Sequence, residues 1–191
     1  MTGVQTCALP ISDLKDKKIL VTGGAGFIGS NIVEYLMHHG AAHVRVLDNM
    51  SNGFMINIEP YLNLPSFEFI NGDITDPETC RKACEGMNMV THQAALGSVP
   101  RSIAHPELTH ASNVNGFLNM LIAARDAGVE RFVFASSSSV YGDITDSPKV
   151  ESRTGRLLSP YAVSKMTNEL YAGVFGINYG MKIIGLRYFN V

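Results

Sequence analysis

The chain carries little charge and few cysteines, and it has no long apolar run. Of its 191 residues 17% are charged, with a formal net charge of −2, so composition gives no reason to expect nucleic acid or an anionic membrane as a partner. No apolar stretch reaches the roughly 18 residues that a membrane span needs. The N-terminus lacks the basic and then apolar order of an export signal. With three cysteines and no such signal, we predict a reducing, cytoplasmic location.

Two of the cysteines are one helical turn apart. Cys80 and Cys84 lack the second pair that a zinc site of this spacing would need. We interpret them as buried apolar residues, and the sequence predicts no metal site.

A short apolar strand near the N-terminus runs directly into three spaced glycines. Residues 18–22 are followed by Gly23, Gly26 and Gly29. In this pattern the first glycine permits a tight turn, the second a close backbone approach, and the third the packing of helix on strand. The turn and the helix N-terminus suit a pyrophosphate, so the segment is typical of dinucleotide binding. The alternative is an ordinary strand–turn–helix corner.

A carboxylate follows the second predicted strand, residues 44–48, at the distance such a site requires. Asp48 comes about 20 residues after the glycines, where it would accept the adenosine ribose hydroxyls and repel a 2′-phosphate. A turn or helix cap is the alternative role for this aspartate. Residues 49–53, which include Asn49, Asn52 and Gly53, contain no Arg or Lys. The sequence therefore predicts NAD rather than NADP as the cofactor.

Strands and helices alternate along the rest of the chain. We predict further strands at 67–71, 89–93, 131–135 and 182–186, and helices at 27–40, 77–84, 106–127 and 161–179. Residues 53–64 are expected to form a short or irregular helix. Short apolar strands alternating with helices predict an α/β fold, a doubly wound parallel sheet of the Rossmann type with six strands in this chain.

The carboxyl ends of the strands are where a ligand should lie in such a sheet. After the third strand, Asp73 and Ile74 could meet the adenine, or Asp73 could cap a turn. After the fourth strand and Gln93, the small residues Ala94, Ala95 and Gly97 leave the backbone exposed to a flat and bulky group, such as an adenosine ribose. Asn113 is a mediocre helix former inside a predicted helix, which fits either a cofactor contact or core packing.

A serine run after the fifth strand has a partner further along the chain. Tyr161 and Lys165 are four residues apart, which places phenol and ammonium on one helix face. A free tyrosine titrates near 10, and a neighbouring ammonium and a positive nicotinamide ring would both favour the phenolate. Ser137 could hydrogen-bond the same substrate oxygen. The alternatives are a surface Tyr–Lys pair and a polar loop.

Together these motifs resemble the extended short-chain dehydrogenases/reductases, specifically the nucleotide-sugar epimerases. The resemblance covers residues 17–191 and rests on residues 22–29, 48–49, 72–74, 136–142, the Tyr161/Lys165 pair and residues 187–190. Asn88, where these enzymes often carry Asp, is a minor departure. The resemblance implies Ser137, Tyr161 and Lys165 as catalytic residues. It also implies a cofactor site formed by Gly23, Gly26, Phe27, Ile28, Gly29, Asp48, Asn49, Asn52, Gly53, Asp73, Ile74, Gln93, Ala94, Ala95, Asn113, Ser136, Tyr161, Lys165 and Tyr188.

Within the family, one contrast separates the possible reactions. Nucleotide-sugar dehydratases and UDP-glucuronate decarboxylases typically carry acidic residues between the catalytic Ser or Thr and the Val-Tyr-Gly, where this chain has Ser138 and Ser139. The resemblance therefore implies a 4-epimerase acting on a UDP-sugar through a 4-keto intermediate. The loop 95–102 most resembles bacterial UDP-N-acetylglucosamine 4-epimerases that supply surface polysaccharides. UDP-glucuronate or UDP-glucose 4-epimerases, and another oxidoreductase or dehydratase of this fold, remain alternatives.

The same resemblance implies a substrate site and a partner subunit. Substrate contacts are expected from Gly97, Ser98, Val99, Ser137, Ser138, Tyr161 and Asn190. A homodimer is expected through helices 106–127 and 161–179. Because the chain stops soon after an apolar strand, residues 17–191 are interpreted as a truncated NAD-binding domain that lacks most of its substrate domain and would have no turnover alone. Residues 1–11 resemble a translated sequencing adapter and are expected to be an artefact.

Overall fold

The computed structural model describes residues 14–190, so the expectation for residues 1–11 lies outside the described part of the chain. Six strands form one sheet in which every paired neighbour is parallel. The strands are, in chain order, β1 Lys18–Thr22, β2 His43–Asp48, β3 Phe67–Asn71, β4 Met89–His92, β5 Arg131–Ser137 and β6 Ile183–Tyr188. Their spatial order is β3-β2-β1-β4-β5-β6. This is the doubly wound Rossmann order, and the predicted fold class is confirmed.

Six α-helices connect these strands: α1 Phe27–His38, α2 Pro77–Cys84, α3 Val99–Ala104, α4 Pro106–His110, α5 Gly116–Asp126 and α6 Pro160–Tyr179. Local chemistry fixes several of their ends. Asp76 caps α2 by accepting the N–H groups of Glu78 and Thr79. After α6, Gly180 adopts a left-handed φ of 67°, a conformation that glycine reaches without strain.

Alternate residues of β1 point to two separate cores. Ile19 and Val21 pack with α1 on one face, where Val33 belongs to the same buried cluster. Leu20 packs on the other face with residues of α2, α5 and α6. Because both faces are covered, the strands are apolar blocks rather than alternating ones. Ligand access is therefore left at the strand ends.

Two local predictions differ from the structure, and a third agrees with it. The segment predicted as one helix at 106–127 is helical from Pro106 to Asp126, but it contains a π-helical turn at Ala111–Asn115 between α4 and α5. The region 95–102, predicted as a loop, contains the start of α3, whose first turn is capped by the Ser98 hydroxyl accepting the Arg101 N–H at 3.2 Å. Residues 53–64 form two short 3₁₀ helices, Met55–Asn57 and Glu59–Tyr61, in keeping with the expected irregular helix.

The two helical cysteines are buried, as predicted. Cys80 and Cys84 are fully buried free thiols, and burial raises the pKa of each to about 12. Within residues 14–190, no three His, Cys, Asp or Glu residues are grouped so that they could hold a metal ion. None of the helices in this range is both long and apolar enough to span a membrane.

Candidate functional site

The glycine turn between β1 and α1 has no room for side chains at its outer positions. Gly23 has a φ of +68°, and a Cβ there would lie 2.7 Å from the Ala94 nitrogen. A Cβ on Gly29 would lie 2.0 Å from the Gly23 carbonyl oxygen. At Gly26, the residue that precedes α1, the nearest atom to such a Cβ is the Gly23 oxygen at 3.3 Å. The turn therefore presents bare backbone and the N-terminus of α1 to a ligand, as a pyrophosphate requires.

Asp48, at the end of β2, holds this turn in place. Its carboxylate accepts the N–H groups of Ala25 at 3.0 Å and Met50 at 2.8 Å. Met50 is the one non-glycine residue of positive φ recorded in the described chain, at 60°. The side chain of Asp48 is thus fixed at the carboxyl end of the sheet, where the sequence predicted it to meet a ribose. Its two hydrogen bonds to backbone show the turn-forming role, and the contact with a ribose stays a prediction.

Asp73, after β3, is oriented by a neighbour from the preceding strand end. Its carboxylate accepts the Asn49 amide at 2.7 Å and the Thr75 N–H at 2.8 Å. Burial acts to raise the pKa of Asp73, but these hydrogen bonds outweigh it and leave the pKa below the usual range. Asp73 therefore stays ionised and capable of accepting further hydrogen bonds.

Two clefts lie along the carboxyl ends of the strands and share Gln93 and Ala95. The glycine cleft, of about 90 Å³, is bounded by Gly23, Gly26, Leu47, Asp48, Asn49, Ser51, Asn52, Gly53, Gly72, Ile74, Gln93, Ala94, Ala95 and Ser112. The serine cleft, of about 490 Å³, is bounded by Ile28, Gln93, Ala95, Gly97, Val99, Ala135, Ser136, Ser137, Ser138, Ser139, Tyr161, Lys165, Tyr188, Phe189 and Asn190. Most of the predicted cofactor and substrate residues are therefore brought together in one continuous site.

A dinucleotide fits this site on two observations. The backbone cradle at Gly23 and Gly26 would be filled by added side chains. In addition, Gln93 Oε1, at the junction of the clefts, is buried without a hydrogen-bond partner. Buried polar atoms are normally paired, so an acceptor left open here points to a ligand donor.

Six predicted residues lie outside both clefts or turn away from them, and two of these are Gly29 and Asp73, described above. Phe27 is 71% exposed beside a neighbouring groove of α1, and the Ser98 hydroxyl caps α3. Asn113 is buried and bonds to both backbone groups of Leu96, at 2.8 and 3.2 Å, which holds the loop that leads to Gly97. Ser136 lines the serine cleft, but its hydroxyl bonds to Glu169. Contacts from these side chains to a cofactor or substrate therefore stay predictions.

The three predicted catalytic residues meet in the serine cleft. Lys165 lies with its Nζ 5.8 Å from the centre of the Tyr161 ring and donates to the carbonyl of Ala135 at 2.8 Å. Ser137 stands at the end of β5, where its hydroxyl accepts the Ser139 N–H. Among the described residues that line this cleft, Lys165 is the only one with an ionisable basic side chain.

Burial governs the proton affinities in this cleft. It lowers the pKa of Lys165 to about 8. Burial raises the pKa of Tyr161, and a hydrogen bond with Ser137 lowers it by less. Loss of water costs the charged phenolate more than the Ser137 hydroxyl returns, and the expectation that the Lys165 ammonium and a nicotinamide ring together favour the phenolate stays a prediction.

Sequence reasoning missed two side chains beneath this site. Glu169, on α6, accepts hydrogen bonds from Ser136 and Arg187. It lies one turn after Lys165, and that spacing could have drawn attention to it. His92, at the end of β4, is fully buried and pairs its Nδ1 with the Thr22 hydroxyl at 2.9 Å. A strand-end position next to Gln93 was its only signal.

The comparisons with known proteins agree with this geometry. Residues 19–191 match the family model described as the NAD dependent epimerase/dehydratase family, and the chain belongs to that family. Its class is therefore that of the NAD-dependent epimerases and dehydratases of the Rossmann fold, and the prediction of NAD as cofactor is confirmed at the level of the family. The chain spans only about half the length of the relatives that it matches.

Three relatives illustrate how widely the family reaches. A UDP-glucose 4-epimerase of Neisseria meningitidis serogroup C is 40% identical over 181 residues, which cover 91% of this chain and 53% of the relative. The structure of a UDP-N-acetylglucosamine 4-epimerase from Methanobrevibacter ruminantium M1, in complex with UDP-N-acetylmuramic acid, has a TM-score of 0.86 at 39% identity, covering 92% of this chain and 56% of that one. A dTDP-glucose 4,6-dehydratase from Streptomyces venezuelae, with NAD bound, has a TM-score of 0.85 at 37% identity, covering 89% and 55%.

Proposed function

We propose that the full-length protein is an NAD-dependent 4-epimerase of a UDP-sugar, with UDP-N-acetylglucosamine and UDP-N-acetylgalactosamine as the favoured pair. The observation that carries the proposal is the convergence of Ser137, Tyr161 and Lys165 at one end of a groove whose other end is the glycine turn. Two of the compared proteins are named as 4-epimerases. That likeness supports the reaction class but does not separate one sugar from another.

Each of the three side chains has a distinct task in this reaction. Tyr161 takes the proton of the C4 hydroxyl and later returns it, while Ser137 hydrogen-bonds the same oxygen and holds it during the transfer. Lys165 supplies positive charge near the phenol. NAD, when bound, would supply the hydride acceptor and donor for C4 and the positive charge of its nicotinamide ring, with no net change in its oxidation state over a cycle.

The small side chains next to Ser137 favour epimerisation over loss of water. Ser138 and Ser139 lie on the 3₁₀ turn after β5, and Ser138 lines the cleft. Elimination needs an acid and a base beside the sugar ring, and no carboxylate is among the described residues bounding the serine cleft. Ser138 also leaves space beside the sugar, which favours an N-acetyl substituent. UDP-glucuronate is the second candidate, because its epimerases share the serine run.

The full-length protein is also proposed to be a homodimer. Helix α6 exposes an apolar stripe of Val163, Leu170, Val174 and Ile177, at 50%, 63%, 51% and 85%, and α4 exposes Leu108 at 52%. Exposed apolar faces of this extent are typical of protein contacts. The molar mass of the full-length protein in solution tests this proposal.

Tyr161→Phe is the variant that tests the assignment of the base. It removes the hydroxyl and keeps the ring, so the full-length variant should fold and retain NAD while its turnover falls by a factor of roughly 10² or more. Activity and bound cofactor are both measured on the purified protein. Near-normal turnover would show that Tyr161 is not the base. Steady accumulation of NADH from the unaltered enzyme would instead favour a net oxidoreductase.

A further inference from the structure

An ion pair lies near the carboxyl end of β5, outside the serine cleft. The Arg187 guanidinium, on β6, donates to both carboxylate oxygens of Glu169, on α6, at 2.9 and 2.7 Å. The two side chains are only 14% and 20% exposed. This bidentate geometry is the strongest that an arginine and a carboxylate can form.

The pair connects four segments that surround the catalytic residues. Glu169 also accepts the Ser136 hydroxyl at 2.5 Å, which joins α6 to the end of β5. Arg187 donates to the carbonyl of Glu151 at 3.1 Å, in the connection between β5 and α6. Its guanidinium lies 4.8 Å from the centre of the Tyr141 ring. Pairs that are this buried contribute little net stability, because both charges lose water, so their value lies in fixing geometry.

The position of the pair also bears on the charge of Lys165. Glu169 is one helical turn after Lys165, about 6 Å along the axis, and a free carboxylate there would attract the ammonium. Arg187 neutralises that carboxylate instead. Lys165 donates instead to the carbonyl of Ala135, the residue that precedes Ser136.

We propose that Glu169 and Arg187 are positioning residues for the catalytic site. Through Ser136 they fix α6, with Tyr161 and Lys165, against the end of β5 that carries Ser137. Through mutual neutralisation they leave Lys165 without a carboxylate partner, so that its charge acts on Tyr161. The inference rests on the proposed roles of Tyr161 and Lys165, but its test needs neither substrate nor turnover.

The test is a pH titration of Lys165 in this chain, followed by NMR of ¹³C-labelled lysine Cε atoms, with Lys165→Met to assign the signal. Tyr161 and Tyr188 line the cleft together with Lys165, and His92 on β4 is near enough for Lys165 to affect its pKa. Glu169, one turn further along α6, and its partner Arg187 on β6 are the other charged groups to consider. Burial holds the pKa of His92 at about 3, so His92 does not titrate in the range where Lys165 does.

Two single variants should shift the Lys165 titration in opposite directions. Arg187→Met frees the Glu169 carboxylate and should raise the pKa of Lys165 by roughly 1 unit or more. Glu169→Gln keeps a carbonyl oxygen that can accept the Ser136 hydroxyl, but it leaves the Arg187 charge uncompensated. This variant should therefore lower the pKa of Lys165. The double variant Arg187→Met/Glu169→Gln removes both charges and should restore the titration to that of the unaltered chain.

An unchanged Lys165 titration in Glu169→Gln and in Arg187→Met would overturn the proposal, since it would leave the pair with a purely structural role. If Arg187→Met fails to fold, the isosteric Glu169→Gln decides alone, and a missing downward shift contradicts the proposal. The full-length protein could lack epimerase activity while these pKa shifts appear, or it could have the activity without the shifts. The two results are therefore distinguishable.

Discussion

At the scale of single residues, the site depends on a few positions that have no freedom to change. Gly29 is the clearest, because a Cβ there would meet the Gly23 carbonyl oxygen at 2.0 Å. Backbone atoms cannot move aside as a flexible side chain can. The spacing of the glycines in the sequence predicted that residue 29 must be glycine. The structure shows that the Gly23 carbonyl oxygen is the atom that excludes a side chain there.

Gly29→Ala should therefore destabilise the chain by about 1–3 kcal/mol and weaken NAD binding, since it pushes the cradle apart. Gly173→Ala is the matched control: it lies inside α6, where no atom is within 4 Å of an added Cβ, and should stabilise by about 0.5–1 kcal/mol. Denaturant unfolding and calorimetric titration with NAD measure both effects. Equal stability in the two variants would contradict the description of the turn.

His92 gives the stability of the chain a specific dependence on pH. Burial, with a smaller contribution from Lys165, holds its pKa at about 3 in the folded chain, against about 6.5 when unfolded. Below pH 6.5 the unfolded chain binds one more proton than the folded chain, so this contribution to stability is lost as the pH falls from 6.5 toward 3.

We expect the free energy of unfolding to fall less steeply between pH 6.5 and 4 in His92→Asn than in the unaltered chain. His110→Asn changes an exposed histidine of α4 and is expected to keep the original slope. Urea unfolding at several pH values measures these slopes. If His92→Asn keeps the slope of the unaltered chain, the histidine is not buried in its neutral form.

At the scale of elements, the N-terminus of α6 sets the position of the base. The Ser159 hydroxyl accepts the Ala162 N–H at 3.1 Å, and the Tyr161 N–H donates to the Ser102 hydroxyl at 3.1 Å. The first turn of α6 is thus fixed both by its own cap and by α3. Sequence reasoning located α6 to within one residue at its start, because the apolar period marks it, but had no means of finding the contact with α3.

Ser159→Ala should cost about 1 kcal/mol, as the loss of a helix cap does, and lower Tm by roughly 2–4 °C. Thr167→Ala is the control within the same helix, since its exposed hydroxyl only bonds to the Val163 carbonyl, and should be neutral or slightly stabilising. Thermal unfolding compares the two. A larger loss in Thr167→Ala would mean that the cap does not hold this helix.

Features of the helices that depend on long-range side-chain contacts could not be predicted from the sequence. The π-helical turn within 106–127 coincides with Asn113, which bonds to Leu96 and to the Ser164 hydroxyl. Nothing local in that segment signals a π-helical turn. In contrast, the strands and the glycine turn follow from local patterns, and these were located to within a few residues.

At the scale of the whole molecule, the chain order of the motifs predicted the site, because a parallel sheet collects the carboxyl ends of its strands at one edge. One groove therefore contains the glycines that follow β1, Asp48 of β2, Gln93 after β4 and Ser137 of β5. The electrostatics could not be predicted in this way. Whether Tyr161 has a high or low pKa depends on how much water the packed elements exclude, which spacing does not show.

The most direct test of the account is proton NMR of UDP-N-acetylglucosamine incubated with the purified full-length protein and no added cofactor. We predict the appearance of the galacto epimer, which would demonstrate the reaction, retained NAD and the N-acetyl preference together. Conversion of UDP-glucuronate alone would leave the chemistry intact and change the sugar. No epimer from any UDP-hexose, with folded and NAD-loaded protein, would contradict the central claim that the serine cleft is a 4-epimerase site.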